Sequence, residues 1–163
     1  MNINTMLAVG ALVLFSLISL NFNGVVIQNL THEIDNKVFL TAFSLADDLI
    51  EEIKQKSFDE KTIVFSAINK NQLTTSNSLG PDSGEVSVNY FDDIDDYKGY
   101  TKNISLPHAE EYTVKANVYY VQEDNQGQVS TTQTFYKRVD VRVESPYMSS
   151  DAVLSFIFTL HSK

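Results

Sequence analysis

From Met6 to Leu20 the chain reads MLAVGALVLFSLISL, a run with no group more polar than serine. Phe22 and Val25-Val26-Ile27 extend it past Asn21, Asn23 and Gly24. As a helix the fifteen-residue run reaches only about 22 Å against a hydrocarbon core of roughly 30 Å, whereas Ile3 to Ile27 reaches about 37 Å. The longer segment is expected to span a bilayer, with two asparagines near one interface. A cleaved secretory signal has an apolar run of similar length, but MNINTM carries no basic residue and NFNGVVIQN follows Leu20 in place of a small-x-small site. Neither flank holds a Lys or Arg cluster that would set an orientation.

Beyond Gly24 the pattern continues instead of ending. Apolar residues recur at Ile27, Leu30, Ile34, Val38, Ala42, Leu45, Leu49 and Ile53, in the steps of three and four that mark one helix face, and no proline occurs before Pro81. One helix from about Ile3 to about Lys56 is the economical reading, on the order of 80 Å long. Glu33 with Lys37, and Glu52 with Lys56, have the i, i+4 order that supports an exposed face. A coiled-coil stalk would need only a narrow seam. Phe39, Leu40, Phe43, Ala46 and Ile50 widen the apolar surface, and packing of residues 29–56 on a sheet is expected.

The charge distribution agrees with this division. The 163 residues carry a net charge of −9, yet no Asp, Glu, Lys or Arg precedes Glu33. An acidic chain repels a phosphate backbone, so nucleic acid is not an expected partner. With no cysteine, disulfides, thiol catalysis, zinc-thiolate sites and iron–sulfur clusters are all excluded.

After the helix, residues 57–110 read as a connecting region containing the loop-like NKNQLTTSNSLGPDSG (69–84). Residues 111–163 read as an antiparallel meander. Tyr112, Val114, Ala116, Val118 and Tyr120 alternate onto one face in 111–121. Phe135, Val139, Val141 and Val143 do so with Lys137 in 135–143, and Ala152, Leu154, Phe156, Phe158 and Leu160 in 152–160. QEDNQGQ (122–128) and SPYMSSD (145–151) are polar connections of hairpin length. The fold class is therefore expected to be α+β: a long N-terminal helix, apolar in residues 1–28 and amphipathic in 29–56, with an antiparallel sheet under its second half.

This arrangement resembles the type IV pilin-like superfamily, the pilins and the pseudopilins of type II secretion, whose long helix and sheet form a ladle. Three stretches carry the likeness. SLADDLIEEI (44–53) followed by SFDE (57–60) is similar to the helix end of minor pilins. FDDIDDYKGY (91–100) is similar to their DDxDDYxG segment, and YKRVDVRV (136–143) with VLSFIF (153–158) is similar to their last two strands. The resemblance implies a non-enzymatic, single-pass subunit of the bacterial inner membrane with its globular domain periplasmic or extracellular. Its partners would be lipid before assembly and other pilin-like subunits after it, in a homo- or hetero-oligomeric filament. Val9, Leu12, Leu14, Phe15, Ile18, Leu20 and Phe22 would make the subunit contacts. The chain departs from the family in lacking a basic leader and a Gly-Phe-Thr-Leu-Ile-Glu-like run, and Thr5 stands where the family's glutamate would fall if Met1 began the mature chain. That departure points to a tip or accessory position, or to a membrane protein that never enters a filament. The alternatives are a bitopic inner-membrane protein whose periplasmic β domain binds a ligand or partner without polymerising, and a secreted calcium-binding adhesin.

Asp92, Asp93, Asp95 and Asp96 place four carboxylates within five residues, charge enough for calcium if the loop folds back on itself. Their spacing is not that of an EF-hand. The reading preferred here is a solvated acidic turn whose carboxylates accept backbone N–H bonds while Ile94 and Tyr97 pack inward, so no cofactor is expected and calcium is the alternative. Catalytic signatures are missing. His32, His108 and His161 are scattered, and neither G-x-S-x-G, H-E-x-x-H nor a Gly-rich phosphate loop occurs.

Overall fold

A computed structural model describes residues 2–63, 67–106 and 109–160, the side chains of Ala109 and Glu110 excepted. His108 and His161 lie outside the described residues, as does part of the apolar stretch at 62–68. Helix α1 runs Ile3–Ile53, in agreement with the 3.6-residue period and the absence of proline. Single 3-10 turns follow at Glu60–Thr62, Lys70–Gln72, Ser76–Ser78, Val88–Tyr90 and Asp95–Tyr97. Four strands then make one antiparallel meander in the order β1 (Thr101–Leu106), β2 (Ala109–Tyr120), β3 (Tyr136–Glu144) and β4 (Ala152–Thr159). Helix and sheet give the expected α+β class.

Two compact units divide the chain, Met1–Lys37 and Val38–Lys163. Within the second, α1 buries Val38, Ala42, Ala46, Leu49, Ile50 and Ile53. These positions repeat every three or four residues and so form one stripe. Ala42 and Ala46 are fully buried; their small side chains let the helix backbone come close to the sheet. Burying Val38, Leu49, Ile50 and Ile53 contributes on the order of 6–12 kcal/mol as an upper estimate. Phe39, Leu40 and Phe43 do not join this face. They remain 40%, 67% and 44% exposed, because positions next to the stripe turn about 100° per residue away from the sheet. The expected broad sheet-packing surface is therefore a narrow one made mostly of small and β-branched residues.

The sheet meets the helix with the residues that alternation selects. Tyr112, Val114, Ala116, Val118 and Tyr120 of β2 and Val139, Val141 and Val143 of β3 are all buried, and the register sets Val118 opposite Val139 and Val141 opposite Leu154. On β4 only Ala152 is fully covered, and Phe156 is 37% exposed. An edge strand has a neighbour on one side only, which leaves its face thinly covered. Gln122–Gln128 is a turn closed by a Val121–Val129 bridge, and the chain runs on through residues 130–135 before entering β3. Strand β1 lies inside the region read as a connection. Its register against β2 shifts between Ile104 and Leu106, which destroys the period-two signal.

Past Ile53 the chain turns through Lys54–Lys56 and Ser57 bridges Asp93 in parallel. Ser57 N–H donates to Asp92 O at 3.0 Å, and Ile94 N–H donates to Ser57 O at 3.0 Å. Lys56 Nζ donates to Phe91 O at 2.6 Å and Tyr97 OH to Glu52 Oε1 at 2.7 Å. The expected Glu52–Lys56 ion pair is thus replaced by two bonds to the acidic segment. The Glu33–Lys37 pair forms, at 2.7 Å.

Candidate functional site

Two features stand out, one in each unit. The first is the apolar part of α1. Val9, Leu12, Leu14, Phe15, Ile18, Leu20 and Phe22 are each between 54% and 71% exposed, and no charged residue lies among them. A helix this long and apolar can cross a membrane. Two of its hydroxyls are satisfied within the helix: Ser16 Oγ donates to Leu12 O at 2.9 Å and Thr31 Oγ1 to Ile27 O at 3.1 Å. Such i−4 back-bonding removes the donors that hydrocarbon could not accommodate.

The second feature is the acidic segment at the end of the helix, where the structure separates the four aspartates. Asp92 is exposed, but Asp93, Asp95 and Asp96 are 1%, 2% and 3% exposed. The expected solvated turn is therefore corrected to a buried one, because the Ser57 bridge draws the segment under the helix end. The local bonding is as expected. Asp93 Oδ1 accepts from Asp95 N at 2.5 Å and Asp96 N at 3.3 Å, while Asp96 Oδ2 accepts from Asp92 N at 3.0 Å and Asp93 N at 3.1 Å. Ile94 and Tyr97 point inward, with Tyr97 edge-on to Phe91 at 5.1 Å between ring centroids.

Asp95 meets a partner from far along the chain. Lys137, on the inward face of β3 and fully buried, contacts Asp95 Oδ1 directly. It also donates to Asp59 Oδ2 at 2.9 Å and to Phe58 O at 2.6 Å. Three donors of one ammonium are thereby used. The ammonium also lies 4.6 Å from the centroid of the Phe58 ring and 5.2 Å from that of Tyr120. Asp59 caps the turn Glu60–Thr62 and accepts from Thr74 N at 3.0 Å and Tyr120 OH at 3.0 Å. Asp95 Oδ2 is buried and has no hydrogen-bond partner among the described residues.

The electrostatics follow from burial and from this one cation. Burial opposes ionisation of Asp59, but the charge and hydrogen bond of Lys137, with Thr74 and Tyr120, hold its carboxyl below the ordinary value. Burial pushes Asp95 up to about 6 against the pull of Lys137. Burial, with the charge of Asp95 next, pushes Asp93 up to about 8. Burial and hydrogen bonding to Asp59 likewise raise the Tyr120 phenol.

The aspartates that converge for a cation are therefore fewer than the sequence offered. Asp92 and Asp96 come together with Glu85, one carboxylate oxygen from each lying within 4.8 Å of the others. Asp93 is engaged with backbone and Asp95 with Lys137. One oxygen from each of three carboxylates falls short of the roughly six to eight oxygens found around calcium, unless bidentate binding, water or backbone supplies the rest. His32 stands exposed on α1.

Sequence reasoning did not select Asp59 or Glu85, and it placed Lys137 on the inward face of β3 without a partner. The signal was present. A lysine at an inward position of a strand requires a buried acid, and FDE just past the helix end contained one. Compared with family models, curated proteins and solved structures, the chain matches none.

Proposed function

We propose that this chain is a non-enzymatic, membrane-inserted subunit of a type IV pilus-like or type II secretion-like apparatus, a minor pilin or pseudopilin of the bacterial inner membrane. The observation that supports the reading best is the composition of one helix. Its first part, Ile3–Ile27, is uncharged and exposes its apolar side chains, and its last part buries a stripe on an antiparallel meander. The likeness of FDDIDDYKGY to the minor-pilin segment adds to it. In this mechanism the apolar helix rests in lipid and then exchanges lipid for the apolar faces of neighbouring helices. Van der Waals packing drives the exchange, since lipid tails are as apolar as leucine.

Leu14 tests the idea. An aspartate at the centre of a membrane helix costs roughly 2.5–3.5 kcal/mol for insertion. Leu14→Asp is expected to leave the membrane fraction and to be missing from purified filaments, whereas normal incorporation would overturn the mechanism. The second reading is a bitopic protein that does not polymerise, and it draws on the lack of any acidic residue before Glu33. Cysteine pairs introduced at exposed positions such as Leu12 and Phe15 separate the two: cross-linked ladders in membranes support assembly, and monomers alone support the bitopic form.

A further inference from the structure

We propose that Lys137 and Asp95 become joined by an amide bond between Lys137 Nζ and Asp95 Cγ within the folded domain, with Asp59 as the carboxylate that carries the protons. The inference is independent of the assembly reading, since it concerns only the interior of the second unit. Three observations carry it.

The reacting groups are already in contact. Lys137 Nζ touches Asp95 Oδ1, and Asp59 Oδ2 lies 2.9 Å from the same nitrogen. Holding an amine against a carboxyl in a fixed geometry is worth effective molarities of about 10⁵–10⁸ M in well-oriented intramolecular reactions. The surroundings also favour neutral products. Lys137 and Asp59 are fully buried and Asp95 is 2% exposed, with the Phe58 and Tyr120 rings beside the nitrogen. Two carboxylates share one ammonium there, and desolvation penalises each charge. Finally, Asp95 Oδ2 has no hydrogen-bond donor among the described residues. It belongs to a buried carboxylate whose charge is met only through Oδ1; an amide carries no net charge at that place. In a chain without cysteine, such a bond would supply the covalent tie that a disulfide supplies elsewhere, fastening the acidic segment to β3.

The step balances without an outside reactant. Asp59 takes a proton from the Lys137 ammonium and delivers it to the Asp95 carboxylate. The neutral amine attacks Cγ, the C–N bond forms, and a second nitrogen proton passes through Asp59 to the departing oxygen, which leaves as water. Asp59 ends as it began. The remaining amide N–H faces Phe58 O, which lies 2.6 Å from Lys137 Nζ in the ion-paired arrangement. Burial keeps water from reversing the reaction.

Intact-mass measurement of the full chain, extracted in detergent, tests the proposal directly. The expected mass is about 18 Da below that of the linear sequence, one water lost. Proteolytic mapping is expected to give a single branched peptide containing Asp95 and Lys137. Lys137→Ala and Asp95→Ala are expected to have the full masses of their sequences. Asp59→Asn is expected to stay unlinked while retaining the wild-type circular-dichroism spectrum. A folded wild type at its linear mass overturns the proposal, and so does a water loss mapped to any other residue. Because the wild-type measurement needs no variant to fold, it decides the matter alone. Linkage in Asp59→Asn at the wild-type extent would overturn the role given to Asp59.

Discussion

Replacing Lys137 by methionine keeps most of the buried stem and removes the charge. The side chain is fully buried and in the ion-paired arrangement its nitrogen serves Phe58 O, Asp59 Oδ2 and Asp95 Oδ1, so the variant, which can form neither the ion pair nor the amide, leaves two buried carboxylates with no cation. Breaking a buried ion pair from one side costs about 3–5 kcal/mol, a large part of the roughly 5–15 kcal/mol that holds a domain together. For a domain of this size about 4 °C of Tm accompanies each kcal/mol, so Lys137→Met is expected to lower Tm by roughly 12–20 °C. Thermal unfolding followed by circular dichroism on the full chain in mild detergent measures this. The sheet signal is the useful one, since α1 extends beyond the domain. Neutralising the acids as well, in Lys137→Met with Asp59→Asn and Asp95→Asn, is expected to recover more than half of the loss. The penalty lies mainly in the stranded charges, not in the missing lysine. A shift below about 4 °C for Lys137→Met, or no recovery in the triple variant, would refute the claim that this network holds the acidic segment in place.

The pH dependence has a definite sign. Asp93 is raised from 3.8 to about 8, so between those values the folded protein holds a proton that the unfolded chain has released, and stability falls as pH rises through the window. Burial, the leading cause, acts whether or not Asp95 is bonded to Lys137. The groups facing this cluster are Asp59, Asp95, Asp96, Lys137 and Tyr120. Of these, Asp59 is depressed and acts in the opposite sense only below its ordinary value of 3.8. Tm is therefore expected to be higher near about pH 5 than near about pH 8, and the reverse order would contradict the burial of Asp93. For calcium, with Asp93 and Asp95 engaged elsewhere and Asp96 Oδ2 accepting two backbone N–H groups, titration calorimetry is expected to show no binding below about 1 mM. A micromolar site would mean that Glu85, Asp92 and Asp96 recruit further oxygens.

How much of this was legible in advance depended on whether burial left a period in the sequence. Helix α1 was legible because its apolar positions recur along one face, and β2, β3 and β4 because one face of each turns to the core while the other does not. Strand β1 was hidden. Thr101, Lys102 and Asn103 are exposed and the register shift before Leu106 interrupts what alternation there is. Composition located the acidic segment as well, and it gave the inward places of Ile94 and Tyr97. It did not divide the aspartates, since four like residues in five positions offer the same chemistry until neighbours distinguish them.

Those neighbours come from a distance. Lys137 lies 78 positions from Asp59 and 42 from Asp95, and the helix end, the Ser57 bridge and the β2–β3 register must all form before the three groups meet. Periodicity reports only which face of an element is dry. The sequence by itself therefore determined the uncharged apolar helix, its amphipathic continuation and the alternating strands, each a local consequence of burial. Only the tertiary structure decided that Phe39, Leu40 and Phe43 stay in the open, that Asp92 and Asp96 turn toward Glu85, and that Asp95 shares a buried lysine with Asp59. The reason is physical: a desolvated charge must find its counter-charge wherever the fold brings one, and no local pattern encodes the meeting.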